Sequence, residues 1–419
     1  MTNLQGKKLL VLGGSTIGCP EIVEYANSIG VHTIVADYLS VNDSAAKRIS
    51  NEHWEISTAN IDTLENMCRN AGVDGIVAGV SEFNIEKSIE LSQRLNLPSY
   101  TNMKNWQYCT NKNLFKKMCR KYGVPVTDEY NVDLESGDLS HLKYPVIVKP
   151  ADSCASRGFC ICNSEDELKV AYKAALEFSA SGEILVEKYM PYPASIIYYT
   201  AHKGKLHFAG ITDKKSMKIK GKESLVMAIQ VLPSDYIEDY LTKLDSRVKQ
   251  MFESEGLHDG PIWIEAFNNN GEFTFNEMGY RFGGSLTYYP VEYYYGYNQM
   301  HMMVEYALAG ESTMEVSFSD NKENYCILPI HVMPGRIDSV SGQGEVLKKD
   351  YVKALVPVHY VGDEIKDWGT AQQVYCYLHV TFSNAENLKE KLAEIKELIH
   401  VTNKDGKDML FYLFDIDSL

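Results

Sequence analysis

The chain has 419 residues, 45% of them hydrophobic and 23% charged, close to the soluble globular average. That balance excludes disordered, collagenous and coiled-coil chains, and the length suits two to four domains or one large composite enzyme. With 56 acidic and 41 basic residues the formal charge is −15, which argues against general nucleic-acid or anionic-membrane binding and leaves only a local lysine-lined pocket for a polyanion. Nine scattered cysteines with no CxxC pair argue against a zinc knuckle or a disulfide framework and for a reducing compartment. The apolar run near the start is too short for a signal peptide, and no stretch reaches the ~18 apolar residues of a membrane span. The expectation is a cytoplasmic protein.

Strand and helix signals alternate over the first hundred residues. Lys8–Leu12 is a short apolar run ending in Gly13-Gly14, and Pro20 sits where a first helical turn should begin. Val31–Ala36 is the next strand, ending at Asp37. Asp62 and Glu65 form the pattern of a capping box. Gly75–Ala78 and Phe83–Leu95 continue the alternation, which implies a parallel sheet covered on both faces. Residues 100–125 read as one linking helix. Strands follow at Pro145–Lys149, Phe159–Cys162 and Ile184–Glu187, with a helix capped by Ser164 and Glu167. Residues 195–231 are strand-like and carry the basic cluster Lys214, Lys215, Lys218, Lys220 and Lys222. Tyr236–Glu255 is helical. Ile262–Phe267 and Phe273–Met278 flank Asn269-Asn270-Gly271, a strong hairpin signal. Ser383 and Glu386 open a last helix with Leu388, Leu392, Ile395 and Ile399 on one face.

Several clusters carry chemistry. Gly13-Gly14-Ser15-Thr16-Ile17-Gly18 opens a helix after a strand, but serine at position 15 breaks the dinucleotide fingerprint, although Asp37 stands where a ribose-binding acid would. Lys149 ends a strand before a loop of small residues and donors, Asp152 to Gly158, and a lysine there can reach phosphate oxygens while loop amides close over them. No Walker motif occurs. Glu265 and Glu277 are carboxylates among apolar strand residues and need a cation. A two-residue turn would put them on opposite faces of the ribbon. A three-residue turn, Asn269-Asn270-Gly271 with a bulge at Gly271, puts them on one face as diagonal neighbours, and this is the expected register. The pair then suits magnesium together with phosphate oxygens, with Arg281 close by to steady an anion; the alternative is a hairpin salt-bridged by Arg281 or the lysine cluster. The tyrosines at 288–289 and 293–295 fit helix packing or an aromatic substrate wall. His258, His301 and His331 are expected to be structural.

Taken in chain order, Thr110-Asn111-Lys112, Pro145–Pro150 with its loop, Glu187–Met190, Glu265 and Glu277–Arg281 resemble the ATP-grasp superfamily, nearest the biotin carboxylase, carbamoyl-phosphate synthetase and purine-carboxylase branch. Pro334-Gly335-Arg336-Ile337 resembles the entry to that branch's C-terminal domain. The resemblance implies an α/β and α+β chain: a Rossmann-like pre-ATP-grasp domain at 1–105, a two-lobed ATP-grasp domain at 106–315 with a lid subdomain at about 145–190, and a C-terminal α+β domain at 316–419. It implies that Lys112 and Lys149 hold the α- and β-phosphates of ATP, and that Ser153, Ser156, Arg157 and Gly158 belong to the lid loop. Glu187, Lys188, Tyr189 and Met190 become the hinge that receives adenine, and Ser195 meets the ribose. Lys214 or Lys215 touches the γ-phosphate, with Lys215 taken as the catalytic one. Glu265 and Glu277 ligate Mg2+, or Mn2+ in its place, and Arg281 stabilises the transition state or anchors a substrate carboxylate. Gly279 stands where the family often has Asn, leaving Asn276 or water to complete the coordination.

The function so implied is an ADP-forming ligase. It activates a small-molecule carboxylate, expected to be an amino acid, as an acyl phosphate and joins it to an amine. No nucleic acid or membrane is involved, and a homodimer is the implied assembly. The alternatives are a bicarbonate-activating carboxylase of the same fold, or a nucleotide-binding module without turnover. A dinucleotide oxidoreductase is disfavoured by Ser15.

Overall fold

The computed structural model describes residues 3–134, 138–152, 158–218, 225–318, 322–366 and 369–412. Strands β1 (Lys8–Leu12), β2 (His32–Asp37), β3 (Glu52–Glu55) and β4 (Gly75–Ala78) make a parallel sheet in the order β3-β2-β1-β4. Helices α1 (Cys19–Ser28), α2 (Ile61–Ala71) and α3 (Glu82–Leu95) accompany it. β1, β2 and β4 are largely apolar runs because both faces are covered, whereas the edge strand β3, Glu-His-Trp-Glu, buries only Trp54. Leu10, Leu12 and Ile34 join the core under α2 and α3, while Leu9, Val11 and Val35 join the core under α1. Strand order reverses at β1, and the loops after β1 and β4 meet at the strands' carboxyl ends, where the Val80 amide donates to Ile17 O at 3.3 Å.

The capping box expected at Asp62 and Glu65 does not form. Asn60 occupies the N-cap without a side-chain bond, and Glu65 instead accepts from Arg69 at 2.7 Å. The linking segment is two helices, α4 (Met103–Thr110) and α5 (Lys112–Lys121), because Asn111 takes an extended conformation and caps the second, its side chain accepting from the Leu114 amide at 3.1 Å.

A small antiparallel sheet follows, ordered β5-β8-β6-β7, from β5 (Glu129–Tyr130), β6 (Val146–Pro150), β7 (Cys160–Cys162) and β8 (Ile184–Lys188). Helix α6 (Glu165–Leu176), capped by Ser164 as expected, covers one face. The next strands are β9 (Ala194–His202), β10 (Lys205–Lys218) and β11 (Leu225–Leu232). Helices α7 (Ile237–Tyr240) and α8 (Ser246–Ser254) are joined by a π-helical turn, Leu241–Asp245. Then come β12 (Gly260–Asn269) and β13 (Glu272–Gly279), α9 (Tyr288–Tyr295) and α10 (Gln299–Ala309). The chain continues through β14 (Asn324–Val332), β15 (Gly335–Arg336), β16 (Ser339–Ser341), α11 (Gln343–Leu347), β17 (Val352–Pro357) and β18 (Glu364–Ile365). It ends with β19 (Val374–Phe382), α12 (Ala385–Leu398), β20 (His400–Thr402) and β21 (Leu410–Tyr412).

One sheet runs through both regions in the order β13-β12-β9-β10-β11-β14-β19-β17, with β21 beside β14. The strands that carry the acidic pair and those of the C-terminal third therefore share a continuous hydrogen-bonded scaffold. Helix α12 is capped by Asn384, one residue beyond the expected Ser383, and buries Leu388, Leu392 and Ile395 on one face. The tyrosines of α9 do what a packed helix does: Tyr294 and Tyr295 pack with Ile196 and Tyr198 of β9.

Candidate active site

The hairpin β12–β13 sets the site. Asn269 pairs with Glu272, so its turn has two residues, Asn270 and Gly271, at φ +49° and +84°. Positive φ at both positions is what a type I′ turn requires, and Asn-Gly supplies it. The expected three-residue turn is therefore corrected. The shared face arises elsewhere: Ala266 pairs with Phe275 but Glu265 pairs with Glu277, so Asn276 is an extra residue in β13. This β-bulge shifts the register by one and brings Glu277 directly opposite Glu265 rather than diagonal to it.

Like charges directly opposite repel. Here each has an ammonium partner: Lys214 Nζ lies 2.9 Å from Glu265 Oε2, and Lys112 Nζ lies 3.5 Å from Glu277 Oε2. Asn276 Nδ2 donates to Glu265 Oε1 at 3.1 Å, and Asn276 Oδ1 accepts from Lys149 Nζ at 3.0 Å. Burial alone would raise the Glu265 pKa, but Lys214, the Asn276 hydrogen bond and Lys149 together outweigh it and hold the carboxyl below its usual range; Glu265 in turn raises Lys214. Among the described residues no group of three or more His, Cys, Asp or Glu could cage a metal. Two carboxylates with room for phosphate oxygens suit Mg2+, which keeps waters and is held by one or two protein carboxylates.

Lys112 and Lys149 reach this point from two directions. Lys112 is the first residue of α5, aimed by the Asn111 cap. Lys149 is on β6, where Ile147 pairs with Glu187, so Lys149 and Glu187 are diagonal neighbours on one face. Glu187 is 1% exposed; its Oε2 lies 2.9 Å from Lys149 Nζ, and its Oε1 bonds Lys116. Lys116, one turn after Lys112, is fully buried and also donates to Thr127 Oγ1 at 2.6 Å. Burial works against the Glu187 charge, yet the ammonium groups of Lys149 and Lys116 hold its carboxyl below the ordinary value.

Arg281 follows β13. Its Nη2 lies 3.2 Å from Glu82 Oε1, its Nη1 donates to Phe282 O at 3.0 Å, and its guanidinium sits 5.2 Å from the Trp263 ring centroid. Glu82 is the first residue of α3, just after β4, so Arg281 ties the acidic hairpin to the carboxyl end of the parallel sheet. Asp37 is not free for a ribose. It is buried, with Lys47 Nζ at 2.8 Å and the Ser44 hydroxyl donating at 2.8 Å.

Residues 142–288 match the family model described as an ATP-grasp domain. The chain carries an ATP-grasp domain. It is 22% identical over 425 residues to dapdiamide A synthase of Enterobacter agglomerans, covering 95% of this chain and 97% of that one. In fold it is similar to an L-amino acid ligase from Bacillus licheniformis, with a TM-score of 0.73, 19% identity and coverage of 96% and 99% of the two chains. It is also similar to the biotin carboxylase domain dimer of the Hydrogenobacter thermophilus 2-oxoglutarate carboxylase in complex with MgADP, ADP and bicarbonate, with a TM-score of 0.78, 18% identity and coverage of 97% and 96%.

The expected site residues divide. Lys112, Lys149, Glu187, Glu265 and Glu277 converge, linked through Asn276, and Arg281 stands at their edge. Lys215 does not join them: Lys214 bonds Glu265, and side chains alternate along a strand, so Lys215 points to the other face of β10. Ser195 is 1% exposed, donates to Asp213 at 2.9 Å and accepts from Asn268 at 3.1 Å, so its hydroxyl is committed away from a ribose. At the expected hinge, the amides of Lys188 and Tyr189 donate to Asp128 O and Pro145 O, which fixes the turn. Gly158 is at φ +73° beside Pro150, while Ser153, Ser156 and Arg157 lie outside the described residues.

The sequence reading missed Lys116, Trp263 and Glu82. Lys116 is signalled by its helical spacing from Lys112, and Trp263 by its place two residues before Glu265 on the same strand face. Glu82 is signalled by its position just after β4.

Proposed function

We propose that this protein is an ADP-forming carboxylate–amine ligase that uses MgATP to activate a small-molecule carboxylate, an amino acid by our reading, as an acyl phosphate. The observation that carries the reading is the facing pair Glu265 and Glu277 with lysine ammonium groups on both carboxylates. The likeness to dapdiamide A synthase, which runs along nearly the whole of both chains, supports it.

Glu265 and Glu277 fit a divalent cation, since their oxygens already hold cationic partners side by side. Magnesium, when bound, supplies charge neutralisation to the transferring phosphoryl group. Lys112 and Lys149 hold phosphate oxygens, exchanging Glu277 and Asn276 for the nucleotide. Lys214 meets the γ-phosphate once Glu265 turns to the cation. Arg281, held against Trp263, orients the acceptor carboxylate toward the γ-phosphorus. The carboxylate oxygen forms a bond to phosphorus as the bond to the ADP oxygen breaks. The amine then attacks the acyl carbon and expels phosphate. These residues act by position and charge, as phosphoryl transfer demands. The domain division at residues 105 and 315, the hinge role of Glu187 to Met190 and a homodimeric assembly belong to the same proposal. No helix among the described residues is long and apolar enough to cross a membrane.

The test is incubation of the purified protein with MgATP and pooled amino acids and small carboxylates, with and without bicarbonate, products being read by mass. A condensation product whose mass is the sum of an acid and an amine less water is expected. A carboxylated product that appears only with bicarbonate would replace this reading with the carboxylase.

A further inference from the structure

We propose that Asn276, the extra residue of the β-bulge, is the third protein oxygen ligand of the divalent cation, a role that position 279 cannot serve in this chain. The inference rests on the reading of Glu265 and Glu277 as metal ligands.

Position 279 is closed by packing. Gly279 pairs with Trp263 across the ladder, and a Cβ there would lie 2.2 Å from Trp263 Nε1 and 2.3 Å from Cε2. An indole is rigid and cannot yield to it as the tip of a flexible side chain would. The Arg281 guanidinium also rests on Trp263, 5.2 Å from its ring centroid. No asparagine fits at 279 without displacing the platform on which Arg281 rests.

The bulge supplies a substitute. It inserts Asn276 between Phe275 and Glu277, so that a carboxamide and a carboxylate from consecutive residues meet Glu265. The polarity of the amide is set by its neighbours. Glu265 accepts, so it takes the Nδ2 end, and Lys149 only donates, so it takes the Oδ1 end. Three oxygen atoms, Glu265 Oε2, Glu277 Oε2 and Asn276 Oδ1, therefore each face an ammonium group, from Lys214, Lys112 and Lys149 respectively. In the proposed metal-bound state a single hard cation takes the place of these ammonium groups on the three oxygens. When Lys149 turns to phosphate, Asn276 Oδ1 is left without its donor beside the two carboxylates. A carboxamide oxygen is a hard ligand that adds no charge, which suits a site that must also admit anionic phosphates.

Manganese binding tests this on the intact chain. Mn2+ is titrated into the protein–ADP complex and free Mn2+ is read by electron paramagnetic resonance. Asn276→Ala is expected to weaken Mn2+ binding by at least ~10-fold, the lower end of losses seen even for outer-shell partners. ADP affinity measured in EDTA separates the roles: a residue confined to steering Lys149 would change it as much as it changes Mn2+ affinity, whereas a ligand changes Mn2+ affinity several-fold more. Asn276→Asp, which keeps the oxygen, should bind Mn2+ at least as tightly as the unaltered protein. Should Asn276→Ala fail to fold, the near-isosteric Asn276→Leu serves the same comparison. Unchanged Mn2+ affinity in these variants, with affinity lost in Glu265→Gln and Glu277→Gln, overturns the role of Asn276 and leaves the carboxylate site standing. Unchanged affinity in the glutamate variants as well overturns both.

Discussion

Lys116 of α5 and Glu187 of β8 form a buried ion pair, and the second oxygen of Glu187 holds Lys149 Nζ at 2.9 Å. Lys149, the lysine proposed to hold phosphate, is thus fixed through a carboxylate to a fully buried lysine. Removing one partner of a buried pair costs about 3–5 kcal/mol, because the other is left charged and unpaired. Lys116→Met should approach the lower end, since Glu187 keeps Lys149. It should also weaken ATP binding, because Lys149 is drawn toward Glu187 alone. Urea unfolding and nucleotide titration measure the two effects.

His379 gives the fold a pH dependence of its own. It is fully buried on β19, its Nδ1 is 3.1 Å from the Tyr325 hydroxyl, and burial pushes its pKa down to about 3. The unfolded chain takes up a proton near pH 6.5 that the folded chain refuses. Stability is therefore lost as pH falls from about 6.5 toward 3, at up to about 1.4 kcal/mol per pH unit from this group. In His379→Phe the loss between pH 7 and 5 should be smaller than in the unaltered protein by about 2 kcal/mol. Urea midpoints at the two pH values check this; identical losses would refute it.

The two adjacent lysines of β10 should differ in effect. Lys214 bonds Glu265, whereas Lys215 points from the opposite face. Lys214→Met is expected to lower kcat by ~10², the scale for removing one stabiliser of developing charge, and Lys215→Met by far less. Turnover assays of both variants decide it, and the reverse order would restore Lys215.

Gly279 and Trp263 should behave as a coupled pair. Gly279→Ala forces the indole aside and should cost about 1–3 kcal/mol, as over-packing does. Adding Trp263→Ala should return part of that loss. A double-mutant cycle by thermal or urea unfolding reads the coupling, and strict additivity would deny the contact.

The succession of elements was legible because its signals are local: Pro20 at a helix start, Ser164 at a cap, Asn270-Gly271 at a turn. Expected site residues such as Lys149, Glu265 and Glu277 stood out as charges at the ends or in the middle of apolar strands. What was not legible depends on register and burial. The bulge at Asn276 leaves no local mark, so the shared face of Glu265 and Glu277 was attributed to the wrong turn length. Which lysine of the 214–215 pair faces the site depends on the strand's pairing with β9 and β11, not on either residue. Lys116 looks like a surface lysine on an amphipathic helix until Glu187 and Thr127 close over it. Ser195 fitted a ribose contact by position, but Asp213 and Asn268 claim its hydroxyl.

The central claim is transfer of the γ-phosphoryl group to a carboxylate. Phosphorus-31 NMR of MgATP, followed in the presence of the protein and the acid and amine pools, tests it most directly. Growth of ADP and inorganic phosphate in equal amounts, dependent on the added acids and abolished in Glu277→Gln, is the predicted result. Formation of AMP and pyrophosphate would contradict it, because the bond broken would then lie at the α-phosphorus rather than the γ.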